Sequence, residues 1–190
     1  MENKKLQTKD LITVGIFTAL YFALFFATGM LGHIPVLYVF LPFLLPFICG
    51  IPFMLFLTKV KSFGMITIMG SILGLLMLLT GHTYVPVIAG FVFGLLADLI
   101  VKMSKYKNKT LFVVSYGVFS LWIVGMLVPL WIMKDSYKNM GEAMMKMLDS
   151  TYGIIIVLAA AGAVIFIGGV AGAFFGFAML KKHFKKAGIA

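Results

Sequence analysis

Apolar residues run along this chain in long blocks, broken by short polar links that carry nearly all of its charge. A bilayer's hydrocarbon core asks for about 20 apolar residues per helix. The blocks predict six spans, near residues 11–30, 37–57, 63–79, 84–103, 110–133 and 152–180. The expected fold is an all-α integral membrane protein, a single six-helix bundle over residues 1–190. The second span is the least regular, because Pro42, Pro46 and Pro52 each remove a backbone donor. A kink or partly unwound stretch is expected there, tolerable only where protein or water satisfies the freed groups.

Within the first span, "GIFTALYFALFFA" sets a small residue at every fourth place: Gly15, Ala19, Ala23 and Ala27. Residues four apart share one helix flank, and small side chains there let another backbone approach closely. The third, fourth and sixth spans repeat the device with Gly70 and Gly74, Gly90 and Gly94, and Gly168, Gly172 and Gly176. Each strip is either an internal seam or a docking surface for another protein.

Composition agrees with the spans. The chain is 62% hydrophobic and 12% charged, with mean hydropathy +1.10, whereas a soluble domain is about a quarter charged. A net charge of +10 is also what a nucleic-acid binder shows. Here the lysines sit between spans, so they act as topology determinants and no nucleic-acid partner is expected. Thirteen of the sixteen fall on one side: the N-terminal segment, the links after spans two and four, and the C-terminal tail. The other side has the uncharged links "LGHIPV" and "TGHTY", and a longer loop, 134–151, whose three lysines are matched by Asp135, Glu142 and Asp149. Both termini are therefore expected in the cytoplasm. The start, "MENKKLQTKD" before an apolar run, has the look of a signal peptide, but the run exceeds the usual h-region of about 7–15 residues and is read as a retained first helix. The Met spacing in "MGEAMMKML" suits a short amphipathic helix in the long loop, either resting on the bundle or acting as a lid. The one cysteine, Cys49, cannot form an internal disulfide and is expected as a packed thiol.

Several chemistries are missing from the sequence. There is no Gly-Lys pair and hence no Walker-type phosphate loop, no H-E-x-x-H and no G-x-S-x-G. No built-in ATPase and no enzyme activity is expected. Asp98 is the one acidic residue inside a span, and i,i+4 pairing with Lys102 is the simpler reading than an ion-coupling site. Two histidines, His33 and His82, fall in the two short outer links; the third, His183, is in the basic tail. Two imidazoles on one small face are candidates for contact with a ligand or a metal.

This combination resembles the substrate-binding (S) component of energy-coupling factor (ECF) transporters, bacterial importers of vitamins and micronutrients. Those components are likewise about 190 residues long with six helices, and carry an Ala-x-x-x-Ala motif in helix one. Here that motif is Ala19-Leu-Tyr-Phe-Ala23. "KDLITVGIFTALYF" and "GLLADLI" are similar to a Trep_Strep-like subfamily of firmicutes and spirochaetes with unassigned substrate. The resemblance implies a multi-pass protein of the bacterial cell membrane that captures its substrate outside and topples in the bilayer. It also implies a transmembrane coupling subunit docked on the Gly15, Ala19, Ala23, Ala27 flank and driven by two cytoplasmic ATPases. The ligand would then meet His33, Tyr38, His82, Tyr84, Trp131 and Tyr137, with Tyr152 nearby; aromatic residues at these depths also form the interfacial belt of any membrane protein. A vitamin-like heterocycle is the family's suggestion. A haem-like tetrapyrrole, held axially by His33 and His82 with Lys134 or Lys138 on its propionates, is the alternative ligand. No resident cofactor or metal is expected. An autonomous small-solute channel or facilitator is the rival reading, weakened by the lack of a polar stripe on any span.

Overall fold

The structure is a computed structural model that describes residues 6–132 and 150–184. The described chain is helical, and no strand occurs among the described residues. Its helices are α1 (Thr8–Gly29), α2 (Pro35–Tyr38), α3 (Leu41–Leu57), α4 (Met65–Leu79), α5 (Val85–Met103), α6 (Lys109–Ser120), α7 (Pro129–Ile132) and α8 (Thr151–Met179). Helices occupy each of the six expected apolar blocks among the described residues. Local chemistry starts them where the sequence allows. Pro35, Pro42, Pro86 and Pro129 stand in the first turns of α2, α3, α5 and α7, where no N–H is needed. Asn108 caps α6 by accepting from Thr110 N at 2.9 Å, and Ser150 caps α8 by accepting from Gly153 N at 3.2 Å.

Two spans differ from expectation. The interruption in the second lies at Val39–Phe40, between α2 and α3, while α3 stays helical through Pro46 and Pro52. Tyr116 supports that stretch from α6, its hydroxyl donating to the Pro46 carbonyl at 2.6 Å. The fifth span, expected as one helix, becomes α6, a 3₁₀ segment Leu121–Met126, and α7. Two causes act there. Ser120 bonds back to the Tyr116 carbonyl at 2.8 Å, an i−4 bond that bends helices, and Pro129 cannot donate to the preceding turn. The long loop, with Tyr137, Lys134 and Lys138, lies outside the described residues.

α3 is the central element, packed on α8, α1 and α6, while α4 packs on α5 and α1. From Leu45 to Leu57 all residues of α3 are buried except the half-buried Phe47, Ile48 and Ile51. Its core partners are aromatic: Phe53 lies 4.6 Å from both Tyr116 and Phe119, and Phe25 lies 5.2 Å from Trp122. The seams beside this core are closed by glycine. A side chain on Gly70 would collide with the Gly90 carbonyl oxygen, and one on Gly50 with the Gly172 backbone.

The lysine-bearing links meet at one end of the bundle. Ser62 donates to Asp10 across 3.3 Å, the Lys102 ammonium sits 4.9 Å above the Phe63 ring, and Thr58, Lys109 and Lys181 border one groove. By the positive-inside rule this end is expected to be cytoplasmic. In intact cells, a cysteine at Lys107→Cys should resist an impermeant maleimide until the membrane is opened, whereas Thr80→Cys should react at once. The buried Cys49 supplies no background. Labelling of Lys107→Cys from outside would invert the bundle and move the binding face to its other end.

Candidate functional site

Three regions carry chemistry or an unfilled surface. The first is the flank of α1. The helix turns Val14, Thr18, Tyr21, Phe25 and Thr28 inward, a spacing of three and four that marks one face. Gly15, Ala19, Ala23 and Ala27 point away from the core and are all exposed. A side chain added at Gly15 would meet nothing within 4 Å. The other small-residue strips behave in the opposite way. Gly70, Gly74, Gly90, Gly94, Gly168, Gly172 and Gly176 are each buried against a backbone of this same chain. The α1 strip differs from them in having no partner among the described residues.

The second region is the outer end. His33 and His82 are exposed, and each is held by its own link. His33 Nδ1 lies 2.9 Å from the Met30 carbonyl. A carbonyl only accepts, so Nδ1 donates to it, and Nε2 has no hydrogen bond among the described residues. His82 Nδ1 lies 3.2 Å from Thr80 Oγ1, whose own hydrogen is committed to the Met77 carbonyl at 2.8 Å. By the same argument His82 Nδ1 donates, and its Nε2 has no hydrogen bond among the described residues. Tyr38, Tyr84 and Tyr152 are exposed, and Trp131 is half-buried. No hydrogen bond or ring contact joins any two of these candidates, and no group of three His, Cys, Asp or Glu side chains gathers among the described residues. Two buried polar atoms do lack partners at this end: Thr83 Oγ1, beside His82, and Trp131 Nε1. Deeper in, Tyr21 OH and Trp122 Nε1 are buried inside the aromatic core.

The third region is Asp98. Lys102 is not what holds it, since that ammonium rests over Phe63. Asp98 Oδ2 instead accepts from Gly64 N at 2.9 Å, Ile66 N at 3.1 Å, Thr67 N at 2.9 Å and Thr67 Oγ1 at 2.8 Å. These are the first donors of α4, which have no intrahelical partner. The N-cap of α4 is Gly64 at φ +100°, a backbone region that suits glycine and leaves no side chain to cap with. Asp98 supplies the missing cap from a neighbouring helix. Sequence spacing directs attention to Lys102 and gives no sign of a cap 34 residues upstream.

Among the described residues four helices are long and apolar enough to cross a bilayer, with two shorter apolar ones between them, and the chain is a multi-pass integral membrane protein. It belongs to the family described as hypothetical bacterial integral membrane protein (Trep_Strep), which matches residues 8–186. No match was found among curated proteins or solved structures.

Proposed function

We propose that this chain is the substrate-binding subunit of an ECF-type micronutrient importer. The bare, unpartnered flank of α1 carries the reading. In lipid, small residues on a helix promote association by admitting another backbone, and among the described residues none is brought to Gly15, Ala19, Ala23 or Ala27. A transmembrane coupling subunit docks there, and two cytoplasmic ATPases drive it, in keeping with a sequence that has no phosphate loop of its own. Ligand is captured outside, beneath the links bearing His33 and His82 and the 134–151 loop. Asp98 is the one acidic residue inside the expected spans, so toppling drags little charge through hydrocarbon, where each charge costs several kcal/mol. The ligand is a vitamin-like heterocycle or a haem-like tetrapyrrole; the exposed rings of both histidines suit either a hydrogen bond or an axial bond to iron.

Purification from host membranes tests the assembly. Two ATPases and one further membrane subunit should co-purify. A lone homo-oligomer would sink the importer reading in favour of a channel, and turnover of a substrate would favour an enzyme. The ligand is read from absorption and mass spectra of the purified protein. A Soret band that shifts in His33→Ala or His82→Ala selects the tetrapyrrole. A colourless heterocycle selects the vitamin-like ligand, with affinity falling roughly 5- to 150-fold in the histidine variants for a lost buried partner. Unchanged binding in both would remove the histidines from the site.

A further inference from the structure

A groove of about 790 Å³ runs between α6 and α8 at the lysine-bearing end. Its wall is apolar along most of its length, with Val113 and Val114 on one side and Phe166, Phe174 and Phe177 on the other. The rise from Phe166 to Phe177 is about 16 Å at 1.5 Å per residue, close to half of a hydrocarbon core of about 30 Å. Its polar end holds Lys109 and Lys181, contributed by opposite sides, together with Thr58 and Thr110. No acidic side chain lines the groove among the described residues, so none of them neutralises the two ammonium groups. Thr58 has its hydroxyl hydrogen committed to the Leu55 carbonyl at 2.7 Å, which leaves the lysines as the strong donors.

This is an amphiphile's outline: one apolar trench of leaflet depth, closed at the headgroup level by two positive charges. A soluble anion would use the lysines and leave the aromatic wall bare, and a zwitterionic lipid would fill the wall without net attraction to both lysines. We propose that the groove between α6 and α8 is a binding site for one anionic phospholipid of the cytoplasmic leaflet. An acyl chain lies along Phe166, Phe174 and Phe177, and the phosphate sits between Lys109 and Lys181. The site is on the opposite end from the outer links, and it does not depend on the importer reading.

The full chain in mild detergent, examined by native mass spectrometry with added phosphatidylglycerol or phosphatidylcholine of matched chains, provides the test. Two lysines near a surface phosphate should give phosphatidylglycerol a preference of roughly 30-fold at low salt. The double variant Lys109→Ala/Lys181→Ala should reduce that preference to near unity while still retaining some of either lipid. Ala178→Trp, which fills the trench, should reduce retention of both. Thermal unfolding of each variant in lipid-free detergent checks that the bundle is intact; the lysines are exposed, so the double variant folds even where the tryptophan disturbs packing. Equal retention of the two lipids by the unaltered protein, retention of neither, or a preference that survives the double variant would overturn the proposal. So would complete displacement of phosphatidylglycerol by inorganic phosphate, which would make this a free-anion site.

Discussion

Replacing Asp98 by alanine should cost the bundle about 3 kcal/mol or more, the largest loss expected of any polar substitution in it. Three backbone N–H groups and the Thr67 hydroxyl converge on Oδ2, and an unmet buried donor costs about 1–3 kcal/mol. The donors belong to the first turn of α4, where a negative or electron-rich group is also favoured by the helix dipole. Gly64 cannot take over, for it has no side chain, and its φ of +100° strains any residue that has one. For a chain of this size the loss corresponds to a fall in unfolding midpoint of roughly 6–12 °C, read by thermal unfolding in mild detergent. Asp98→Asn keeps one acceptor oxygen and should fall between the two. Its amide nitrogen must occupy the place of Oδ1, a buried atom without a partner here, so the rescue is partial. Lys102→Ala separates this account from the ion pair that spacing suggests. Lys102 is exposed above a half-buried ring, and a cation–ring contact at an exposed site contributes about 0.5–1 kcal/mol, so its midpoint should barely move. Equal losses from Asp98→Ala and Lys102→Ala would restore the ion pair and remove the cap.

The same contrast explains what was legible in the sequence. Span number and boundaries follow from hydropathy because lipid imposes one length and one polarity on every helix it surrounds. Hence the expected 84–103 and 152–180 lie within a residue of Val85–Met103 and Thr151–Met179. What eluded the pattern depends on residues far apart in the chain. The break in the fifth span needs Ser120 back-bonding and Pro129 together, and Gly125 resting close to Pro86 and Ala89 of α5. The break in the second span falls before Pro42 because proline is harmless in a first turn, while Pro46 and Pro52 sit within a helix sheltered by protein. The role of Asp98 is invisible locally because its partners lie in another helix. Small-residue spacing marks four strips alike, and only packing separates the three that close internal seams from the one that stays open. The candidate ligand residues are the least constrained by sequence. Tyr137 and the loop around it lie outside the described residues, and His33 and His82 share an end of the bundle without sharing a contact.

Ala23→Trp and Ala19→Leu should separate assembly from folding. Both positions are exposed in the isolated chain, as is Gly15 one turn earlier, where an added side chain has open space. Exposed substitutions away from caps and cores change stability by about 0.5 kcal/mol or less, so the variants should express and unfold like the parent. In a seam where two backbones approach through small residues, the same side chains are an overpacking fault that costs roughly 1–3 kcal/mol. Affinity for the coupling subunit should then fall roughly 5- to 150-fold, with ligand uptake falling alongside while ligand binding by the isolated subunit persists. Gly70→Leu supplies the opposite control, since its side chain would strike the Gly90 carbonyl and should unfold the bundle itself. If Ala23→Trp behaves like Gly70→Leu, losing expression or ligand binding, the flank is a seam within this chain. If it spares the complex as well as the fold, the flank faces only lipid, and the importer reading loses the observation that carries it.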